Sequence, residues 1–364
     1  MKPELQAALY FVPEQDVVRI APFGAGNVND TFLLTLVSGE ERVLQRLNPA
    51  VFPEPLLVMR NLRRVTDHLQ RASTRHGLAD DRPFLPVVLY SGKSGDAFLA
   101  EDGAAWRLLS RIGGGHARQA ITTAKQAREL GRVLGLFHRL LSTLDPATLA
   151  DPLPGFHVTP GYLAHYDGVC ARPAKETRAA DAFCRLFIEQ RREDAALLET
   201  VRGRLSTGVI HGDPKVANFL FDHGGERVIS LIDLDTVKPG LLLHDLGDAL
   251  RSCCNLAGET PAAPDHARFD QALFGAWLRG YLAEAQTLLN DEDQERLVAA
   301  VALIAFELGL RFYTDYLEGD RYFKVTGAGQ NLQRALTQFQ LVRSIEVQRD
   351  ELTAMVTRAT AKHE

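Results

Sequence analysis

The sequence predicts an α+β protein of two lobes, a small β-rich N-terminal lobe and a large, mainly helical C-terminal lobe. Two patterns predict this division. Short apolar runs separated by turn residues fill the chain up to Ile112, whereas longer stretches with one apolar face dominate the rest. Three consecutive glycines, Gly113–Gly115, stand between the two patterns and suit a hinge. We therefore expect one lobe at 1–111 and the other at 112–364.

Runs of β-branched and aromatic residues predict the strands of the first lobe. These strands are Val17–Pro22, Thr31–Val37, Arg42–Leu47, Phe84–Tyr90, Ala97–Ala100 and Trp106–Ile112. One helix is predicted between the third and fourth strands, at Leu57–Ala72, where Leu62, Val65 and Leu69 share a face.

Apolar residues at helical spacing predict the second lobe. Its helices are predicted at Thr123–Leu141, Asp181–Arg202, Phe269–Leu289, Glu292–Tyr316 and Asn331–Thr357. Short strands are predicted between the second and third of these helices, at Val209–Ile210, Phe219–Phe221 and Val228–Ile232.

Composition excludes several classes of protein. With 364 residues, 46% hydrophobic and 24% charged, the chain is neither disordered nor collagen-like. A net charge of −5 argues against nucleic acid as a partner. The longest apolar run, Val298–Leu310, is interrupted by Glu307 and is shorter than the ~20 residues of a membrane span. The four cysteines form no C-x-x-C pair, so we expect reduced thiols in a soluble, cytoplasmic protein.

The strongest chemical pattern lies on a loop between two apolar strands. His211, Asp213 and Asn218 have the H-x-D-x-x-x-x-N spacing of a kinase catalytic loop, and Asp233 ends the next strand. Phosphoryl transfer needs a carboxylate to take the acceptor's proton and oxygen ligands for Mg²⁺. Asp213 is the candidate base, Asn218 and Asp233 are the candidate metal ligands, and Lys215 could reach the migrating phosphoryl group. The alternative is a solvated loop and a surface acidic pair.

The glycine-rich turn between the first two strands fits a loop that covers the phosphates of ATP. It joins a strand to a strand, whereas the dinucleotide-binding turn joins a strand to a helix. By itself such a turn is an ordinary hairpin, and the catalytic loop downstream favours the nucleotide. Its candidate contacts are Gly24, Gly26, Asn27 and Asn29.

The third strand lacks the lysine that kinases use for the α- and β-phosphates. Arg46 is the first candidate to replace it, because a guanidinium also binds phosphate, and Gln45 is the second. Strand alternation brings only one of the two into a cleft. Both could also be surface residues.

The catalytic loop together with Ile232–Asp233 resembles the aminoglycoside phosphotransferase and choline kinase superfamily of small-molecule kinases, in motif order over nearly the whole chain. Four short stretches are similar to the N-acetylhexosamine 1-kinase family, namely Leu44–Asn48, Ile232–Gly240, His244–Arg251 and Gly309–Lys324. The resemblance implies a protein-kinase-like bilobal fold with nucleotide binding in the first lobe and catalysis in the second. It also implies ATP, Mg²⁺ and transfer to the anomeric hydroxyl of N-acetylglucosamine or N-acetylgalactosamine. Gly212, Pro214 and Ala217 replace polar residues of that family.

The candidate acceptor contacts follow from the same resemblance, since sugar recognition needs polar groups and often an aromatic face. Besides the base, they are Asp235, Arg311, Asp315, Tyr316, Asp320 and Tyr322. An arginine–aspartate pair near a helix end is often only structural, and Asp235 could brace its loop instead.

Two alternatives remain open in the sequence. The acceptor could be an aminoglycoside, a choline-like amino alcohol or another sugar, because the stretch Asp315–Asp320 is acidic. The missing lysine would also fit a nucleotide-binding protein without activity. We expect a monomer or homodimer with no membrane partner.

Overall fold

The computed structural model describes residues 1–24, 28–75, 84–171, 179–259, 261 and 263–361. An antiparallel sheet forms the first lobe. Its strands run in the order β1-β2-β3-β6-β4, and β5 also pairs with β6. They are β1 (Val17–Pro22), β2 (Asp30–Leu36), β3 (Glu41–Arg46), β4 (Leu89–Tyr90), β5 (Phe98–Leu99) and β6 (Ala105–Ser110).

The two faces of this sheet have different roles. A helix that the sequence did not predict, α1 (Pro3–Phe11), covers one face, where Ala7 and Ala8 share a buried apolar cluster with Leu44 and Leu108. Successive side chains of a strand point to opposite faces, so Gln45 lies on the other face. Gln45 is paired in register with Thr31 on β2 and with Arg107 on β6. A polar row therefore crosses the sheet on the face away from α1.

Long helices form most of the second lobe, and α2 (Pro55–Arg75) joins their core from the first lobe. A Cβ on Gly131 would lie 2.0 Å from the Trp277 carbonyl oxygen, so glycine allows α3 and α7 to pack in close contact. These helices are α3 (Ala124–Leu141), α4 (Thr159–Cys170), α5 (Ala179–Glu189), α6 (Leu242–Cys253), α7 (Gln271–Ala285), α8 (Asp291–Glu318), α9 (Gln330–Val347) and α10 (Arg349–Thr360).

Two small antiparallel sheets flank the loop that carries the chemical pattern, one ordered β10-β9-β7 and the other β11-β8. The loop leaves β8 and enters β9, so both of its ends are held by sheet hydrogen bonds. The strands are β7 (His116–Ala117), β8 (Thr207–Ile210), β9 (Phe219–Phe221), β10 (Val228–Leu231) and β11 (Lys238–Leu241).

The predicted fold class is confirmed, and some boundaries are wrong. The helix predicted at Asp181–Arg202 ends at Glu189 and is followed by two short 3₁₀ segments, Glu193–Ala196 and Glu199–Arg204. The helix predicted at Asn331–Thr357 divides after Val347, where the Gln348 side chain donates to the Phe269 and Ser344 carbonyls.

One helix in the described part of the chain, α8, is long and apolar enough by composition to cross a membrane. Most of its apolar window, 83%, is buried inside the fold, so it is a core helix here. Its start is fixed by a capping box in which Asn290 and Asp293 exchange side-chain and backbone hydrogen bonds.

Candidate active site

The catalytic-loop pattern forms a rigid turn between β8 and β9. The backbone N–H groups of His211 and Gly212 donate to the two carboxylate oxygens of Asp245, at 2.6 and 2.7 Å. Gly212 has a φ of +87°, and a Cβ there would lie 2.8 Å from the Thr236 carbonyl oxygen. Only glycine fits that conformation and space, which accounts for Gly212 at this position.

Asp213, Lys215 and Asn218 converge on this turn. Lys215 Nζ lies 2.5 Å from Asp213 Oδ2, and Asn218 Nδ2 donates to the Asp213 carbonyl oxygen at 2.7 Å. Burial would raise the pKa of Asp213, but the charge of Lys215 outweighs it and lowers that pKa. Burial would lower the pKa of Lys215, but Asp213 and Asp233 raise it. The pair is therefore ionised near neutral pH, so Asp213 has an unprotonated oxygen that can accept a proton.

Asp233 and Asn218 carry the oxygens that fit Mg²⁺. No donor in the described part of the chain bonds to the Asp233 carboxylate, and Asn218 uses its Nδ2, which leaves Oδ1 for a ligand. No cluster of three or more His, Cys, Asp or Glu that could hold a metal was found in the same described ranges. Mg²⁺ commonly takes one or two protein oxygens and completes its shell with phosphates and water. The donor set thus fits a metal that arrives with a nucleotide.

Asp233 has two unusual properties. Its φ of +67° is left-handed, a conformation that Asp and Asn adopt more readily than most residues. Although the side chain is open to the cleft, desolvation by the cleft walls and the charge of Asp235 raise its pKa to about 7. A carboxyl group binds Mg²⁺ in its ionised form, so a proton would have to leave Asp233 before a metal could bind there.

Magnesium-dependent nucleotide binding is expected to weaken as the pH falls through 7. With one proton on a group of pKa about 7, the affinity for Mg·AMP-PNP should fall about tenfold between roughly pH 8 and 6. Titration calorimetry would measure it. Metal-free AMP-PNP is the control, because its binding does not require ionised Asp233, and equal pH slopes for both ligands would contradict the assignment.

Two buried histidines hold the loop from behind. His138 bonds to Asp245 Oδ2 at 2.9 Å, and His157 Nε2 lies 2.7 Å from the Gly212 carbonyl oxygen. The other nitrogen of His157, Nδ1, lies 3.0 Å from a Glu307 oxygen. Because both partners of His157 only accept, both of its nitrogens donate and the ring is charged. Burial alone would lower the pKa of His157, but Glu307 raises it.

These supporting residues were not predicted from the sequence, although the sequence contains signs of some of them. Glu307 interrupts the longest apolar run of the chain, where a charge needs a partner. Arg107 likewise stands between apolar residues of β6 and is 1% exposed. His157 has a φ of +63° in a loop without a recognisable pattern, so its position could not be predicted.

The residues predicted to contact nucleotide divide between two faces of the first sheet. Gln45 lies on the face with the polar row, where its side chain accepts hydrogen bonds from the Arg107 guanidinium. Arg46 lies on the opposite face and forms ion pairs with Asp102 and Asp30. Asn29 donates to Asp235 Oδ2 at 2.6 Å, across the two lobes. Gly24 begins the turn with a φ of +75°, and the predicted contacts Gly26 and Asn27 lie outside the described residues.

A cavity of about 260 Å³ lies beside α8, and the Arg311 side chain lines it. In the described part of the chain no hydrogen bond or ion pair involves the Arg311 guanidinium. Its charge nevertheless interacts with Asp213. Its central carbon lies 4.9–5.8 Å from the centres of four aromatic rings, those of Phe156, Tyr162, Tyr322 and Phe323.

The other predicted acceptor residues lie in different environments. Asp315 lines the cavity, but its carboxylate accepts from three backbone N–H groups of the following loop, 321–323, and from Asn331. Asp320 also accepts from Asn331, and Tyr316 packs on Tyr313. Neither is in the cavity wall. The structure therefore brings Arg311, Asp315 and Tyr322 together, whereas Asp235 binds Arg107 and Asn29.

Comparison with known proteins gives one family. The model of the phosphotransferase enzyme family, APH, matches residues 19–308. That range includes the glycine-rich turn, the catalytic loop and the metal-binding candidates, and it ends within α8.

Solved structures share the fold at low sequence identity. An aminoglycoside phosphotransferase from Alicyclobacillus acidocaldarius is 16% identical with a TM-score of 0.61, over 98% of this chain and 95% of that one. An amicoumacin kinase, hAmiN, in complex with AMP-PNP, Ca²⁺ and Ami is 17% identical with a TM-score of 0.57, over 94% and 91%. A choline kinase from Cryptosporidium parvum is 11% identical with a TM-score of 0.59, over 95% and 94%.

Proposed function

The chain belongs to the phosphotransferase enzyme family and is a small-molecule kinase of the aminoglycoside phosphotransferase and choline kinase superfamily, and from that premise we propose its acceptor. We propose that it transfers the γ-phosphoryl group of Mg·ATP to the anomeric hydroxyl of an N-acetylhexosamine, N-acetylglucosamine or N-acetylgalactosamine. The product is the sugar 1-phosphate.

The charge of the cavity carries this proposal. A site for an ammonium group would offer vacant aromatic faces and free carboxylates. Here the protein's own Arg311 lies over the four rings, and the Asp315 carboxylate is saturated by N–H donors of its own loop. The cavity therefore presents a cation with unused donors, which favours a neutral acceptor rich in oxygen.

The size of the cavity and the residues that line it support a monosaccharide as the acceptor. A volume of about 260 Å³ is below the ~300–1,000 Å³ of sites for drug-sized ligands, so a monosaccharide fits better than a multi-ring aminoglycoside. The stretch Gly309–Lys324, which resembles N-acetylhexosamine 1-kinases, supplies half of the residues that line it.

Each residue of the catalytic loop would then have its own role in phosphoryl transfer. Asp213 accepts the proton of the hydroxyl while that oxygen bonds to the γ-phosphorus and the bond from the γ-phosphorus to the ADP oxygen breaks. Lys215, paired with Asp213, lies where it can offset charge on the transferred group. Asn218 and Asp233 would hold Mg²⁺, which supplies positive charge to the phosphate oxygens when bound.

A panel of acceptors tests this function. ADP release from Mg·ATP would be measured with N-acetylglucosamine, N-acetylgalactosamine, glucose, galactose, choline and kanamycin. We expect the highest kcat/KM with an N-acetylhexosamine and loss of its reducing end. Turnover with choline or kanamycin alone would contradict the proposed acceptor and leave the kinase chemistry in place.

Arg311 is expected to determine acceptor affinity. Losing hydrogen bonds from a charged donor costs ~1.5–3 kcal/mol, so Arg311→Met should lower kcat/KM for the N-acetylhexosamine roughly 10- to 100-fold. The KM for ATP should not change. Arg343→Met, at an exposed position of α9, is the matched control. An increased preference for choline in the Arg311 variant would agree with the charge argument, and an unchanged sugar KM would contradict it.

An amine-bearing acceptor is the second candidate, because Glu318 also lines the cavity. Glu318 lies 3.0 Å from His165, which is 56% exposed at the side chain. An ammonium group could approach this rim without displacing Arg311. The same panel distinguishes the two candidates.

A further inference from the structure

The buried side chain of Asn29 joins three parts of the cleft. Its Nδ2 donates to Asp235 Oδ2 in the second lobe at 2.6 Å, and its Oδ1 accepts from the backbone N–H of Asn48 at 3.1 Å. A carboxylate only accepts and an N–H only donates, so one orientation of the amide satisfies both partners. Both ends of this amide, at the end of the glycine-rich turn, are therefore bonded to protein groups.

Asn48 begins a tight turn that carries one wall of the cavity beside α8, which we call the acceptor cavity. The Asn48 carbonyl accepts from the backbone N–H groups of Val51 and Phe52 at 3.1 and 2.9 Å, and its Oδ1 accepts from the N–H of Ala50 at 3.0 Å. Val51 lines the cavity from the first lobe, whereas the other lining residues belong to the second lobe. The position of Asn48 therefore sets the position of Val51.

Asp235 provides the fixed point in the second lobe. Its other oxygen, Oδ1, pairs with Arg107, and both side chains are almost completely buried. This ion pair does not involve Asn29, so it would still join the two lobes in a variant that lacks the amide. The Asn29 amide adds a separate link, from Asp235 to Asn48 and the turn that carries Val51.

We propose that Asn29 is a positioning residue for the acceptor and that Val51 contacts the acceptor from the first lobe. The inference rests on the proposed kinase function, with the acceptor in this cavity. Through its two hydrogen bonds, Asn29 holds the turn at 48–52 against the second lobe, so that Val51 closes the cavity. Asn29 therefore acts on acceptor binding, although it lies in the turn predicted to cover the nucleotide.

Binding of each substrate alone separates this role from a nucleotide contact. Titration calorimetry would measure Mg·AMP-PNP and, separately, the N-acetylhexosamine that the acceptor panel identifies. Asn29→Ala should weaken sugar binding roughly tenfold, because one wall of the pocket is displaced, and leave the affinity for Mg·AMP-PNP unchanged. Weaker Mg·AMP-PNP binding with unchanged sugar affinity would make Asn29 a nucleotide contact and overturn the proposal.

A double variant tests whether Asn29 acts through Val51. Val51→Ala removes two methyl groups from the cavity wall and should itself weaken sugar binding roughly tenfold. If Asn29 acts by placing that side chain, Asn29→Ala should weaken sugar binding much less in the Val51→Ala background than in the wild-type protein. Full additivity of the two losses would overturn the proposal.

Asp30→Asn is the matched control, because Asp30 is the next residue and also makes a contact between the lobes. Its Oδ1 lies 3.7 Å from Lys324 Nζ, and both side chains are about half exposed. Such a solvated pair contributes little, so the affinities for sugar and for Mg·AMP-PNP should both be unchanged. A tenfold loss of sugar affinity in this control would overturn the specific assignment to Asn29.

The acceptor panel separates failure of this inference from failure of the proposed function. Turnover with choline or kanamycin alone would contradict the proposed acceptor, and the same variants would then be titrated with that acceptor. If the wild-type protein phosphorylates no acceptor, the proposed function fails, and Mg·AMP-PNP still decides the role of Asn29. Lost affinity in Asn29→Ala would then overturn the inference, and unchanged affinity would agree with it.

Discussion

Asp213→Asn is expected to lower kcat roughly 10²- to 10⁴-fold, the contribution that a positioned general base makes to proton transfer. Asparagine keeps the shape of the side chain and an oxygen near Lys215, which lies 2.5 Å from the carboxylate. It cannot accept the proton of the acceptor hydroxyl. Mg·AMP-PNP affinity should stay within about twofold of wild type, because Asp213 acts on the acceptor and not on the metal.

Steady-state ADP release and calorimetry on the same preparation check this prediction. Asp350→Asn, an exposed carboxylate in the first turn of α10, is the matched control and should behave as wild type. Near-normal turnover of Asp213→Asn would remove the proposed base. A parallel loss of nucleotide binding would mean that the side chain organises the site and does not act on the proton.

Asp233→Asn is expected to abolish the benefit that magnesium gives to nucleotide binding, with a loss of at least about 100-fold in Mg·AMP-PNP affinity. Asparagine suits the test because it tolerates the left-handed backbone, φ +67° at this position, whereas most other residues would add strain. The variant also removes a carboxyl group whose pKa is raised to about 7 by desolvation from the cleft walls and by the charge of Asp235.

Binding of metal-free AMP-PNP provides the internal comparison for Asp233. Removing a negative charge should leave metal-free binding equal to wild type or stronger, because phosphate repulsion decreases. The pH dependence of Mg·AMP-PNP binding should also disappear in this variant. Retained magnesium dependence in Asp233→Asn would place the metal on other residues.

The parts of the site that the sequence predicted are local in the chain. His211, Asp213 and Asn218 lie on one loop, and the chemistry of phosphoryl transfer sets their spacing. Strands of the first lobe were predicted from turn residues and apolar runs in the same way, whereas their order in the sheet was not predicted. Burial and hydrogen bonds within a few residues of each other can be inferred without knowing the rest of the fold.

The parts that the sequence could not predict depend on pairing between distant residues. Arg107 meets Gln45 only because β3 and β6 are neighbours in the sheet, and it meets Asp235 only because the lobes close over it. His157 and Glu307 are 150 positions apart in the chain. Each of these contacts is set by tertiary register, which a local pattern does not encode.

Gln45 and Arg46 also show that a local sequence pattern does not determine which side chain faces the cleft. Alternation along β3 predicts that one of them faces the cleft, and both are polar, so composition does not decide which. The structure decides it through Leu44, which belongs to the buried cluster on the α1 side of the sheet and therefore places Gln45 on the opposite face. A single residue of register determines which side chain is available to a nucleotide.

The buried charges around the catalytic loop share one arrangement. The Asp245 carboxylate accepts hydrogen bonds from two backbone N–H groups of the loop, and His157 donates a hydrogen bond to a backbone carbonyl of the same loop. An anion therefore binds the N–H groups of the turn and a cation binds its carbonyl group. Such fully bonded networks fix one geometry at the cost of desolvation. This geometry keeps Asp213 and Asn218 in place before any ligand binds.

Proton and phosphorus NMR of the product formed from Mg·ATP and an N-acetylhexosamine tests the central claim most directly. The proposed function predicts a sugar 1-phosphate, in which the anomeric proton couples to phosphorus and the reducing-end signals are lost. A phosphate on any other hydroxyl, or no product from either N-acetylglucosamine or N-acetylgalactosamine while ATP is bound, would contradict it.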